Sequence, residues 1–302
     1  MSYLLMLIWP MIAFGWVLNL LQQGAASMNR LAAIIDTVPE IRDTDTTDQS
    51  IKTIEGDIEF RDMTFTHKSA QQPTLRRINL KIEKGMTVAV VGYTGTGKST
   101  LVNLVPRLYD VTDGQLLIDG HDVRTIPLAV LRSNIGYVPQ ETFLFSETIA
   151  ENIRYGVDGD GTDISQPAHI SQISKDVHEF PKQFETMIGE RGITLSGGQK
   201  QRTSIARAIM REPSILILDD ALSSVDTYTE EEILSRLKQF MAGRTSIIIS
   251  HRISTVKDAD LIVVLDKGEI VERGTHDELV SLGGIYADLH TKQLLEKELE
   301  EM

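Results

Sequence analysis

The chain has 302 residues, 41% hydrophobic and 24% charged, an ordinary globular composition with length for one large or two modest domains. A net charge of −13, with no stripe of Lys and Arg, argues against a nucleic-acid partner, because neutralising phosphates needs clustered cations. With no cysteine there is neither a disulfide framework nor a thiolate metal site.

From Met1 to Asn29 no residue is charged, and Tyr3 to Leu21 is apolar except for Asn19, a length that suits one membrane-spanning helix. A signal peptide is the competing reading, but the start lacks a basic n-region and the apolar run is long. Pro10, Gly15 and Asn19 inside the span suit a helix packed against others, since neighbours must satisfy the backbone groups a proline frees in lipid. Residues 1–35 are therefore expected as a membrane helix with a cytoplasmic extension. The polar, proline-containing stretch of 36–53 reads as a linker.

A domain is expected over residues 54–290. Asp57 to Phe65 has period-2 strand character, Ile78 to Ile82 is a second strand, and Thr87 to Val91 is a short apolar run feeding a glycine loop. Strand and helix signals then interleave through Ile215 to Leu218, Thr245 to Ile249 and Leu261 to Leu265, which predicts an α/β fold with a largely parallel core sheet. Residues 291–302 read as a polar, mostly acidic helical tail, solvated on all sides.

Gly92-Tyr93-Thr94-Gly95-Thr96-Gly97-Lys98-Ser99 fits the phosphate-binding pattern G-x-x-x-x-G-K-[ST], placed after a strand and before a helix. Its glycines let backbone N–H groups turn inward around phosphates, Lys98 reaches the β- and γ-phosphates, and Ser99 ligates Mg²⁺. Thr100 follows in the same helix start. Asp219, after the apolar run Ile215 to Leu218, is expected at the C-terminal tip of a central strand facing the Mg²⁺, where open α/β sheets bind ligands. Leu195-Ser196-Gly197-Gly198-Gln199 opens an amphipathic helix. This is either an N-capped helix with a flexible entry or a second anion-binding nest with Ser196 as donor. One chain has no need of two γ-phosphate nests, so the second reading implies a second nucleotide held across a dimer interface.

The set formed by Gly92 to Ser99, Gln140 after Val138-Pro139, the LSGGQ run, Asp219, the Ser223-Ser224-Val225-Asp226 turn and His251 after Ser250 closely resembles the nucleotide-binding domain of an ABC transporter. The resemblance implies a P-loop NTPase of the ABC ATPase kind, with an antiparallel β subdomain, a helical signature subdomain, and ATP with Mg²⁺ as its ligands. It makes residues 1–33 look like the last transmembrane helix of an exporter, and Thr142 to Gly156 and Gly189-Glu190-Arg191-Gly192 look like exporter-type coupling segments. It also implies that Gln140 bridges Mg²⁺ or the attacking water to the membrane domain. His251 would contact the γ-phosphate, and Ser196, Gly198 and Gln199 would close on a partner's ATP.

Two positions depart from the family. An aromatic, usually tyrosine, stacks on adenine two residues beyond the Phe of the early strand, and aligning Phe65 puts His67 there. The position after Asp219 carries a catalytic glutamate in the family, whereas this chain has Asp220, one methylene shorter. A shortfall near 1 Å in a water-positioning carboxylate costs on the order of 100-fold in rate. In heterodimeric exporters one subunit carries an aspartate here beside an intact LSGGQ. The expected assembly is therefore a heterodimer with a second half-transporter in a bacterial inner or plasma membrane, exporting drugs or lipids. The alternatives are a slow homodimeric exporter and a truncated, non-transporting nucleotide-binding module. DNA-repair ATPases share the signature but insert long coiled coils between the ATP motifs, which this sequence lacks. The single span reads as a fragment of a half-transporter about twice as long.

Overall fold

The computed structural model describes residues 2–157, 162–189 and 193–300. The chain divides after Arg42 into two compact units. The first is one helix, α1 (Ser2–Ile35), which contains Pro10 and buries none of its residues. Its mean hydropathy of 2.1 over an 18-residue window makes it long and apolar enough to cross a membrane.

The second unit runs from Asp43. Its first residues are tied down locally: the Asp43 carboxylate accepts the Leu128 N–H at 2.9 Å, and the Asp48 N–H reaches the Thr125 carbonyl at 2.7 Å. Strands β1 (Ile58–Phe65) and β2 (Leu75–Ile82) precede the short, continuously apolar β3 (Thr87–Val91), which runs into α2 (Lys98–Leu104). Then come β4 (Asp113–Ile118), β5 (His121–Asp122), α3 (Leu128–Ser133) and β6 (Ile135–Val138). A run of helices follows: α4 (Ile149–Arg154), α5 (Ser165–Ile170), α6 (Ile173–Val177) and α7 (Gly197–Met210). The chain continues as β7 (Ile215–Asp219), α8 (Thr227–Met241), β8 (Thr245–Ile249) and α9 (Ile253–Val256). It closes with β9 (Leu261–Asp266), β10 (Glu269–Gly274), α10 (His276–Leu282) and α11 (Ile285–Glu300).

The strands sort into two sheets. One has the order β2-β1-β4-β5 and is antiparallel. The other has the order β10-β9-β3-β8-β7-β6, parallel except for the edge strand β10. Every residue of β7 and β8 is buried, as expected for parallel strands covered on both faces. Between the sheets lies one core, containing Ile58, Phe60, Leu80, Val90, Leu101, Ile217 and Ile247. On the opposite face of the parallel sheet, Leu216, Leu218 and Ile248 pack against Ile205 and Ile209 of α7 and Ile233 and Leu237 of α8. A third core, with Ile149, Ile153, Ile173 and Val177, belongs to the helical subdomain. Helix α7 serves two of these cores at once, because Ala206 and Met210 face the helical subdomain while Ile205 and Ile209 face the sheet.

The antiparallel sheet, the parallel core sheet and the helical subdomain around α7 match the architecture expected from the sequence. The tail differs from its expectation. Gln293 is half-buried and bonds the chain around His251 rather than solvent alone.

Thr245 opens β8 fully buried, donating its hydroxyl to the Gly56 carbonyl at 2.7 Å and accepting the Gly85 N–H at 3.1 Å. Thr245→Val keeps the shape but takes this partner from the buried Gly56 carbonyl and the half-buried Gly85 N–H, which costs about 1–3 kcal/mol. Urea unfolding of the full chain in detergent should show a lower midpoint at an unchanged slope.

Candidate active site

The loop between β3 and α2 is built around backbone that only glycine adopts. Gly92 has φ +144°, and a Cβ there would overlap the Leu265 carbonyl oxygen. Gly97 has φ +101°, and its Cβ would lie 2.9 Å from a Leu75 methyl. The loop turns inward, and α2 starts with its free N–H groups at the mouth of the turn.

Lys98 is the first residue of α2 and only 6% exposed. Its ammonium donates to the Gly92 carbonyl at 2.9 Å and the Tyr93 carbonyl at 2.8 Å, so the loop's own backbone satisfies the charge. Burial pulls its pKa below the usual lysine range, against the attraction of Asp219 and Asp220. One residue on, the Ser99 hydroxyl donates to Asp219 at 3.1 Å.

Asp219 ends β7 and is 2% exposed. Burial raises its carboxyl above the ordinary range; the Ser99 hydrogen bond opposes this and the Asp220 charge adds to it. Asp220 turns into the left-handed region at φ +50°, donating its N–H to the Ile249 carbonyl at 2.9 Å. That bond carries the β7–β8 ladder one residue past the strand and sets where the Asp220 side chain begins.

A cleft of about 210 Å³ gathers Thr94, Gly95, Gly97, Lys98, Ser99, Thr100, Gln140, Asp219, Asp220 and His251. Gly92 contributes from the base of the loop through its carbonyl. The sequence missed Thr74 and Ile249 as site residues, which also line it; neither carries a chemical motif, Ile249 closing β8 and Thr74 standing just ahead of β2 with its N–H on the Phe65 carbonyl at 2.8 Å. A larger cleft of about 800 Å³ lies around Arg211, Arg236 and Phe240, but holds neither a glycine loop nor a buried lysine. Chemistry, not size, selects the smaller one.

His67 lies outside the cleft lining, in an aromatic group in which its ring centroid is 4.7 Å from Phe65 and 5.3 Å from Tyr109, both edge-on. Tyr109, 42% exposed, was not singled out from the sequence.

Ser196, Gly198 and Gln199 also lie outside the cleft, at the N-terminus of α7. Ser196 and Gln199 form a reciprocal capping box: the Ser196 oxygen accepts the Gln199 N–H at 3.3 Å, and the Gln199 side chain accepts the Ser196 N–H at 3.0 Å. Among the described residues the Ser196 hydroxyl donates to no partner. Asp176 of α6, missed in the sequence as one acid in a polar helix, accepts from Gln199 at 3.0 Å and from Arg202 at 2.9 Å. Gln201 ties α7 to the turn ahead of α8, donating to Ser223 and accepting the Ser224 N–H, both at 2.9 Å. Asp226 closes that turn by capping α8 through the Thr229 N–H at 2.9 Å.

In the segment Thr142 to Gly156, Phe143, Phe145 and Tyr155 form an aromatic group held by Arg207, which donates to the carbonyls of Asn152 at 2.7 Å and Phe143 at 2.9 Å. Of the second proposed coupling segment, Glu190, Arg191 and Gly192 lie outside the described residues.

Among the described residues no group of three or more His, Cys, Asp or Glu side chains is placed to hold a metal ion. The Ser99–Asp219 oxygen pair fits a hard cation such as Mg²⁺, which takes most of its shell from water and phosphate.

Comparison with known proteins places the chain in a family. The pattern of the ABC transporter family matches residues 75–223. The ATP-dependent lipid A-core flippase of Syntrophus aciditrophicus (strain SB) is 46% identical over 302 residues, covering 100% of this chain and 50% of that protein. A probable multidrug resistance ABC transporter ATP-binding/permease protein of Bacillus subtilis (strain 168) is 43% identical over 294 residues, 97% of this chain and 50% of that protein. A solved structure of a bacterial Atm1-family ABC exporter with ATP bound superposes with a TM-score of 0.83 at 37% identity, over 90% of this chain and 47% of the other. The chain thus spans about half the length of the curated relatives it matches. The glycine loop and the Asp219 strand tip share a cleft on a fold superposing with an ABC exporter's, and the chain belongs to the ABC transporter family, carrying its ATPase domain.

Proposed function

We propose that this chain is the ATP-binding end of a bacterial ABC exporter of drugs or lipids, anchored by α1 in the inner or plasma membrane with its ATPase domain on the cytoplasmic side. In this reading it pairs with a second half-transporter. Its own site binds ATP and hydrolyses it slowly, and its signature serves the partner's ATP. The observation that carries the asymmetry is the contrast at one strand tip: a full phosphate grip in Lys98, Ser99 and Asp219 beside an aspartate at 220.

The geometry supports a role for each residue. Lys98 is desolvated and held by the weak acceptors Gly92 and Tyr93, so β- and γ-phosphate oxygens, which carry full charge, compete well for its ammonium. Loop N–H groups and the start of α2 add donors without reorganisation. Asp219 and Asp220 put two carboxylates beside an incoming polyanion, which favours delivery of ATP as its Mg²⁺ complex, with Ser99 and Asp219 as the protein oxygens. Bound there, Mg²⁺ would neutralise charge on the β- and γ-phosphates. Asp220 orients the attacking water, and Gln140 and His251, which line the same cleft, contribute a water or metal contact and a γ-phosphate contact. His67, with Tyr109 beside it, offers a face for adenine. Ser196, with Gly198 and Gln199, presents a rigid donor to the nucleotide of the partner subunit.

Lys98→Ala should weaken Mg-ATP binding by the full chain in detergent at least 100-fold, measured by calorimetry. Equal affinity of the two proteins would remove the phosphate-loop assignment.

The asymmetric reading ranks a second set of variants. In a transporter assembled with its partner, Ser196→Arg puts a bulky cation where a γ-phosphate docks and should lower ATPase activity at least tenfold, while Asp220→Asn should change it less than twofold. In a slow homodimer each site needs both residues, and the two variants should be similarly inactive. Robust ATPase activity of the unmodified chain alone, lost in Asp220→Asn, would defeat the heterodimer.

A further inference from the structure

The loop that carries His251 is held from two sides while its imidazole stays exposed on the cleft. On one side the neighbouring Arg252 guanidinium pairs with Glu230 of α8, which is 2% exposed, and reaches the Val225 carbonyl at 3.3 Å. Thr255 donates to the same carboxylate at 2.6 Å. On the other side stands Gln293 of α11. Its side-chain oxygen accepts the Ile253 N–H at 2.8 Å, and its amide nitrogen donates to the His251 carbonyl. One carboxamide therefore bridges the residues on either side of Arg252, satisfying the otherwise free N–H at the start of α9 and the carbonyl of His251 itself.

The same turn of α11 also approaches the phosphate loop. The Lys292 ammonium lies 5.4 Å from the centroid of the Tyr93 ring, and the Tyr93 carbonyl holds Lys98. The helix is a firm mount for these contacts. The Glu272 carboxylate accepts the Ile285 and Tyr286 N–H groups at 2.6 and 3.1 Å, and the fully buried Tyr286 bonds His276 at 2.7 Å through its hydroxyl.

We propose that Gln293 is a positioning residue for the ATPase site. Delivered by α11, it fixes the backbone of the His251 loop so that the imidazole meets the γ-phosphate, and Lys292 ties the same turn to the phosphate loop. The proposal rests on the γ-phosphate role given above to His251, and its test separates the two.

Hydrogen exchange by mass spectrometry and the NMR signal of the His251 ring, assigned by its loss in His251→Ala, are followed in the full chain in detergent with Mg-ATP or Mg-ADP. Gln293→Ala should speed exchange in residues 250–256 about tenfold or more, leaving the strands of the parallel sheet unchanged. It should also at least halve the ATP-specific shift of the His251 ring while ATP affinity stays within about threefold of wild type. Gln293→Glu keeps an acceptor for the Ile253 N–H but loses the donor to His251, so its exchange should fall between wild type and Gln293→Ala. Unchanged exchange in Gln293→Ala overturns the proposal. Faster exchange with an undiminished ring shift overturns it as well, because Gln293 would then be a helix cap and nothing more. A wild-type ring that answers ATP and ADP alike removes the γ-phosphate role of His251 alone, and the hold of Gln293 on the loop is then decided by the exchange rates.

Discussion

The structure is organised around a buried ammonium. Lys98 carries its charge into a site where only 6% of the residue meets solvent, and it is tolerated because the Gly92 and Tyr93 carbonyls turn toward it and Asp219 and Asp220 share its cleft. Meeting those demands fixes much else. The carbonyls point inward only if the loop adopts left-handed backbone at Gly92 and Gly97. Asp219 reaches the cleft only if β7 ends level with β8, as the Asp219–Ile249 register ensures. Burial lowers the lysine's pKa and raises that of the aspartate, and the attraction between the two groups opposes both shifts.

Helix α7 passes this order on to a distant surface. It packs on the parallel sheet with one face and on the helical subdomain with another, so the two move as one body or strain α7. Its first turn is closed by the Ser196–Gln199 capping box and pinned by Asp176, while Gln201 holds the turn between Asp220 and α8. A carboxylate at the strand tip and a hydroxyl at the start of α7 are thereby linked through a few short hydrogen bonds.

Much of this was legible in the sequence where local rules suffice. Thr87 to Val91 reads as a buried parallel strand, and the loop after it carries its own steric logic. The run before Asp219 marks a central strand, and the observed β7, β8 and β9 follow the expected runs closely. Strand β2 starts at Leu75 rather than Ile78, because Arg76 and Arg77 interrupt the apolar pattern while the backbone pairing continues. Strands β6 and β10 carry no comparable signal: one has four residues, and the other is a polar edge. The contacts of Thr74, Tyr109, Asp176 and Gln293 were illegible for a common reason. Each is an ordinary residue in its own segment and acquires a role only through partners far along the chain.

The position of Asp220 shows why a single methylene can carry so much of the functional reading. Its N–H is bonded to Ile249, its φ is +50°, and its carbonyl accepts the Ser223 N–H at 3.3 Å, so the backbone that launches the side chain is held on both sides. A carboxylate on a mobile loop could move forward to recover lost reach. One fixed in this way recovers it only by breaking the bond that aligns β7 with β8, and that same alignment holds Asp219 against Ser99. The slow hydrolysis proposed for this site then has a geometric reason: the atoms proposed to grip phosphate sit on the rigid frame, and the carboxylate proposed to reach the water is limited by the length of its own side chain.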